Sequence, residues 1–207
     1  RRKPMKLTES TVAKMIRDYL KGFIVPEISG TIYSLNDISA LVYRETFSEL
    51  IPALRKGKTI EQVFTNFKGD GGHGHSPFQI DDRWHPEFIR SGDWKDLSKA
   101  TKKCIDVLEE AREVLSKYSG RKNFKKMIFS AYNSGATRVK MAVSQGKDPD
   151  HYTFSKNYGA EVMRLSKVLD NYPDDPVQAE SKDGQDHISN KEAKKGDGRV
   201  IRDDLDE

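Results

Sequence analysis

The chain has 207 residues, 36 of them basic and 32 acidic, a net charge of +4 and a mean hydropathy of -0.76. That length suits one domain with appendages. No run approaches the roughly 20 apolar residues of a membrane-spanning helix, and the lone Cys104 excludes an internal disulfide framework or a multi-cysteine zinc site.

The charge is unevenly spread. Residues 173–207 carry 11 acids, 6 bases and no aromatic residue, while the first 172 residues carry 30 bases and 21 acids. The C-terminal stretch cannot bury enough apolar surface to offset its ordering entropy, so an acidic, mostly disordered tail is expected there. The basic body favours a polyanionic partner: cell wall, anionic lipid or nucleic acid. The opening residues are charged and lack the apolar stretch of a signal peptide, so any export signal is expected upstream of Arg1.

Along the body, apolar periodicity predicts helices almost throughout. Val12, Ile16, Tyr19, Leu20 and Phe23 recur at helical spacing, with Thr8 or Ser10 as the cap. Pro26 to Tyr33 reads as a loop. Asn36 or Asp37 is the expected cap of a second helix carrying Ile38, Leu41 and Val42, with Pro52 and Gly57 as punctuation. Ile60, Val63, Phe64 and Phe67 suggest a short helix. The run from Gly69 to Pro77 has four glycines in its first six residues and suits no regular element. Only Phe78-Gln-Ile80 could be strand. Asp93 is the expected cap of a long helix from Leu97 through Cys104 to Tyr118. Shorter helices follow, from Asn123 to Tyr132 and up to Gly146, and the last carries Tyr158, Val162, Leu165 and Leu169. The expected class is mainly α, with at most a very small β element.

Glu45 breaks a local rule. It follows Ile38, Leu41 and Val42 by seven, four and three residues, which puts it on the buried face of its helix. Desolvation there raises a carboxyl's pKa and keeps it protonated near neutral pH, as a general acid requires. A plainer reading pairs Glu45 with Arg44 or a lysine where the helix surfaces, with Glu49 one turn further on. The glycines would let backbone approach a ligand closely, with Asp70 and Asp81 bracketing the loop. A surface turn on which nothing packs has the same composition. The loop is no phosphate loop, since it lacks the Gly-Lys-Ser/Thr ending. His73 and His75, with Asp70, Asp81 and His85 nearby, are metal-ligand types. Alternate residues of an extended stretch face opposite sides, so the two histidines would not both reach one ion without a turn, and neither a metal nor another cofactor is expected. Tyr132, Tyr158, Trp84 and Trp94 are core or ligand-stacking residues by type, and Cys104 reads as a packed thiol.

The order of these features resembles the goose-type lysozymes and, more loosely, the lytic transglycosylases that share their fold. The family's Gly-Asp-x-Gly-x-Gly-x-Gly-Leu-Met-Gln-Val-Asp-x-x-x-His looks like Gly69-Asp-Gly-Gly-His-Gly-His-Ser-Pro-Phe-Gln-Ile-Asp-Asp-Arg-Trp-His85. Its Ala-Tyr-Asn-Ala-Gly looks like Ala131-Tyr-Asn-Ser-Gly135, and its Tyr-Ala-x-Asp-Val like Tyr158-Gly-Ala-Glu-Val162. Three departures stand out. Thr46 takes the place of the family's Ser, Ser76-Pro77-Phe78 replaces Gly-Leu-Met, and the stretch from Glu45 to Asp70 is longer than usual.

The resemblance implies a lysozyme-like helical domain over residues 35–172; a helical extension (1–34) is expected to pack on it and the acidic tail (173–207) to follow it. It implies Glu45 as general acid and Asp70 and Asp81 as the pair that holds or activates water. Gln79, His85, Tyr132, Asn133 and Tyr158 fall at positions that line the family's substrate cleft. The implied activity is hydrolysis of the β-1,4 bond between N-acetylmuramic acid and N-acetylglucosamine in peptidoglycan. The implied setting is a secreted or periplasmic monomer, or a phage lysin. Two alternatives remain: a lytic transglycosylase giving 1,6-anhydro products, and a catalytically silent glycan binder. No helix shows a dense Arg/Lys face interleaved with aromatics, so nucleic acid is not an expected partner.

Overall fold

Helices supply nearly all of the regular structure, as the periodicity predicts. The computed structural model describes residues 7–172; the expected acidic tail lies outside them. Among the described residues the helices are α1 (Glu9–Glu27), α2 (Leu35–Arg55), α3 (Ile60–Phe64), α4 (Pro86–Arg90), α5 (Leu97–Val114), α6 (Phe124–Ser134), α7 (Ala136–Ser144) and α8 (Tyr158–Leu169). Three two-residue strands, β1 (Lys68–Gly69), β2 (Gly74–His75) and β3 (Ile80–Asp81), lie between α3 and α4.

α2 is the longest helix among the described residues. It packs on α1 and α8, and α6 packs on α5, α7 and α8. The apolar faces read from spacing are the core: Val12, Ile16, Leu20, Ile38, Leu41, Val42, Cys104, Leu108, Val162 and Leu169 have no exposed surface. Burial of such side chains is worth roughly 1.5–3 kcal/mol each, and it makes α1 part of the same core as α2, α5 and α8.

Several helix ends differ from expectation. Ser34 caps α2, in place of Asn36 or Asp37. Its hydroxyl accepts the Asp37 N–H (3.1 Å) while Asp37 accepts the Ser34 N–H (2.8 Å), a reciprocal capping box. Asp37 also receives Lys125 Nζ from α6 and the Ser166 hydroxyl from α8, which ties three helices at one carboxylate. Asp96, not Asp93, caps α5 by accepting the N–H groups of Ser98 and Lys99. Pro26 and Pro52 do not interrupt their helices. Each lies in a last turn, where the missing N–H forfeits a single bond.

The strands form one antiparallel sheet in the order β1-β2-β3, with Gly69 opposite Gly74 and Gly74 opposite Asp81. Phe78 and Gln79 are not strand; they form the turn between β2 and β3, where Gln79 takes a φ of +53°. The Gln79 side chain folds back over the sheet. A Cβ at Gly69 or Gly74 would lie 2.9 or 2.7 Å from its Cδ, so a side chain at either position would displace the Gln79 amide.

Gly159 is a second close approach. A Cβ there would lie 2.6 Å from the Lys126 carbonyl oxygen and 3.0 Å from the Ser130 nitrogen, both backbone atoms of α6. Gly159→Ala therefore has to push α8 off α6, and is expected to lower stability in urea by about 1–3 kcal/mol. An unchanged midpoint would show that the two helices are not in backbone contact.

Candidate active site

Glu45 projects from the middle of α2, one turn beyond the buried Leu41 and Val42. It is half-buried, and its Oε1 accepts the hydroxyl of Tyr158, the first residue of α8. Its partner is thus a phenol and not the cation of the plainer reading. Glu49, one turn later, is exposed and takes the Ser48 hydroxyl. Burial pushes the Glu45 carboxyl up to about 7, against the opposing effects of the Tyr158 bond and the Arg44 charge; the Asp70 charge adds to the rise.

Tyr158 is itself held in place from below. Asp150, fully buried in the 3₁₀ turn Pro149–Tyr152, accepts the N–H groups of Gly159 (2.7 Å) and Ala160 (3.0 Å) and the Ser130 hydroxyl (2.8 Å). Those N–H groups belong to the first turn of α8, whose own flanking residue Asn157 makes no side-chain cap. A carboxylate at a helix start also matches the helix dipole. Tyr158→Phe would delete the bond that opposes burial at Glu45. The Glu45 carboxyl is then expected to titrate above about 7 in a ¹³C NMR titration; a downward or null change would contradict the contact.

Tyr132 acts as a strut. Its hydroxyl donates to the Phe78 carbonyl (2.7 Å), so α6 holds the β2–β3 turn. Cys104 packs beside it, its thiol pushed up to about 12 by burial, which makes it an inert core group as expected.

Asp70 and Asp81 are brought together by Arg83. Its Nη2 donates to Asp70 Oδ2 (2.8 Å) and to Asp81 Oδ2, and its Nε donates to Asp81 Oδ1 (2.9 Å). These hydrogen bonds hold the Asp81 carboxyl below the usual carboxylate range. Asp70 is exposed, at a φ of +46°. Arg83 falls at a variable position of the family motif, and sequence reasoning missed it. The Asp-x-Arg spacing, which lets Asp81 also accept the Arg83 N–H (2.8 Å), was the available signal.

Two of the remaining expected cleft residues, Gln79 and Asn133, bond within the protein. Gln79 donates from Nε2 to the Ser76 carbonyl (3.0 Å). Asn133 accepts the Phe154 N–H (3.0 Å) and so ties α6 to the loop before α8. His85 precedes α4 and is half-buried; burial and the Lys103 charge hold its imidazole below the usual range, hence neutral at pH 7. Of the five, Tyr158 is the one bonded to Glu45.

His73 and His75 do not face opposite sides. His73 precedes β2 in an αR conformation, so the alternation rule does not reach it. His73 Nδ1 lies 2.9 Å and His75 Nε2 3.5 Å from the two oxygens of Asp82. Among the described residues no group of three or more His, Cys, Asp or Glu side chains is placed to hold a metal ion. Trp94 is buried edge-on to His75, while Trp84 is 79% exposed.

No protein-family model matches the chain, and no curated protein matches it.

Proposed function

We propose that the chain cleaves peptidoglycan glycan strands at the β-1,4 bond between N-acetylmuramic acid and N-acetylglucosamine, with Glu45 as general acid. The observation that carries this is a half-buried carboxyl, pushed up to about 7 and fixed by a buried tyrosine. The motif resemblance supplies the substrate class, and the basic body suits an anionic polymer. The setting that fits is outside the cytoplasm, with the protein acting as a monomer.

In the reaction Glu45 gives its proton to the glycosidic oxygen as the bond to the muramic acid anomeric carbon breaks. Positive charge develops on that carbon and the ring oxygen. In the hydrolytic form, Asp70 and Asp81 orient a water on the opposite face of the sugar, as the base of an inverting enzyme does. Arg83 favours a second form. Both aspartates give oxygens to its guanidinium, and Asp81 is a weakened base. Closure by the sugar's own 6-hydroxyl needs neither aspartate, because the Glu45 carboxylate left by the first step takes the hydroxyl proton as the O6–C1 bond forms, leaving a 1,6-anhydro end.

Glu45 must be protonated to act. Fragment release from purified peptidoglycan is therefore expected to fall as pH rises through about 7. Release that keeps climbing through pH 8 would remove Glu45 from the acid role.

A further inference from the structure

Among the described residues Arg44 makes no ion pair with a carboxylate, although its charge acts on Glu45. Arg83, Arg90, Arg112 and Arg164 each bond at least one carboxylate. The half-buried Arg44 donates from Nη2 to the Ser155 hydroxyl (2.7 Å), and no ion pair with a described carboxylate accompanies that bond. Its Nε is buried and has no hydrogen-bond partner. Removing a guanidinium from water is costly unless its donors are satisfied.

What holds it is aromatic. The guanidinium carbon lies 5.3 Å from the centroid of the Phe47 ring and 5.6 Å from that of Tyr158, within the range of cation–π attraction. Phe47 in turn stacks on Tyr43. The planar fork is therefore preorganised, with most of its donors unused. Tyr158 is shared: its ring meets Arg44 and its hydroxyl bonds Glu45. The Arg44 charge also reaches the Glu45 carboxyl, so a ligand lying against Glu45 enters its field.

We infer that Arg44 is a carboxylate-binding residue of this site, reading a carboxylate carried by the glycan next to the bond that Glu45 protonates. The inference rests on the glycan reading above and adds a substrate requirement to it. Arg is suited to the task because a carboxylate can accept two of its N–H groups at once. Two sources offer that chemistry: the lactyl carboxylate of muramic acid, free where the peptide has been stripped, and the carboxylates of the stem peptide. A chain of N-acetylglucosamine alone offers neither.

The test uses the full chain carrying Glu45→Gln, so that ligand is not consumed. Calorimetry measures its affinity for three glycans: an N-acetylglucosamine oligosaccharide, strands stripped of peptide, and strands bearing peptide. Arg44→Met, which keeps an aliphatic stem, is then added, with Arg44→Lys as a folded control that retains charge and loses the fork. The expected result is a loss of about 10- to 100-fold in affinity for a carboxylate-bearing glycan relative to the plain oligosaccharide, partly recovered by Lys. Whichever carboxylate-bearing glycan shows it names the source. An equal loss on all three glycans, or none on any, overturns the inference. The wild-type chain is offered the same glycans. Discriminating binding without cleavage would overturn the glycosidase reading and leave the carboxylate site standing; binding of none would overturn both.

Discussion

Glu45→Gln is expected to lower cleavage of purified peptidoglycan by about 10²–10⁴-fold, the usual contribution of a positioned general acid. The amide keeps the shape of the side chain and an oxygen to accept the Tyr158 hydroxyl, so the fold should survive. The pH dependence of stability gives an independent check. An unfolded glutamate titrates near 4.3, whereas Glu45 in the folded chain is pushed up to about 7. Its contribution is therefore fully present below the unfolded value. It is lost as pH rises through the folded one, because ionising the desolvated carboxyl opposes folding. Gln carries no such penalty, so at pH 8 the variant should melt no lower than the wild type. A variant that keeps full activity, or one that melts many degrees lower at pH 8, would contradict this assignment.

Asp150→Ala should cost about 3–5 kcal/mol in urea denaturation, the range found when one partner of a buried charged network is removed. The substitution strands two backbone N–H groups at a site with no exposed surface and breaks the ion pair to Lys126 (3.5 Å), while the Ser130 hydroxyl keeps the Lys126 carbonyl. It also frees the start of α8, so Tyr158 loses its fixed approach to Glu45. Activity, where it survives, should then fall off at higher pH than in the wild type, because the bond that lowers the Glu45 pKa is weakened. Asp150→Asn retains one acceptor oxygen and should lose less. A cost below about 1 kcal/mol for the Ala variant would mean that α8 is anchored elsewhere.

Spacing made the helix faces legible. Val12, Ile16 and Leu20, or Ile38, Leu41 and Val42, repeat at three and four residues because one side of each helix meets the core, and burial bears that out. Spacing alone also marked Glu45 as a carboxyl on such a face. Caps were less legible. Ser34, Asn36 and Asp37 are all capping types within one turn, and only the backbone geometry decides which of them accepts an N–H. The same ambiguity moved the start of α5 from Asp93 to Asp96.

The partners of Glu45 were harder to see. Tyr158 lies 113 residues away in the chain, and motif resemblance, not periodicity, drew attention to it. Asp150 caps α8 from a separate turn, so no local pattern marks it. Arg83 and Arg44 sit beside residues that were singled out, but a lone arginine on a charged surface gives no signal until its neighbours are known. At His73 the structure has the turn that would let both histidines face one side, and the sequence did not show whether that turn forms.

The most direct measurement is mass spectrometry of the soluble fragments released from purified peptidoglycan by the wild-type chain, with Glu45→Gln alongside. Glycan fragments are expected from the wild type, ending in muramic acid in its reducing or 1,6-anhydro form, and none from the variant. A reducing end would assign Asp70 and Asp81 to water, and an anhydro end would assign them to the Arg83 clamp. Release of the same fragments by both proteins, or by neither, would contradict the role given to Glu45.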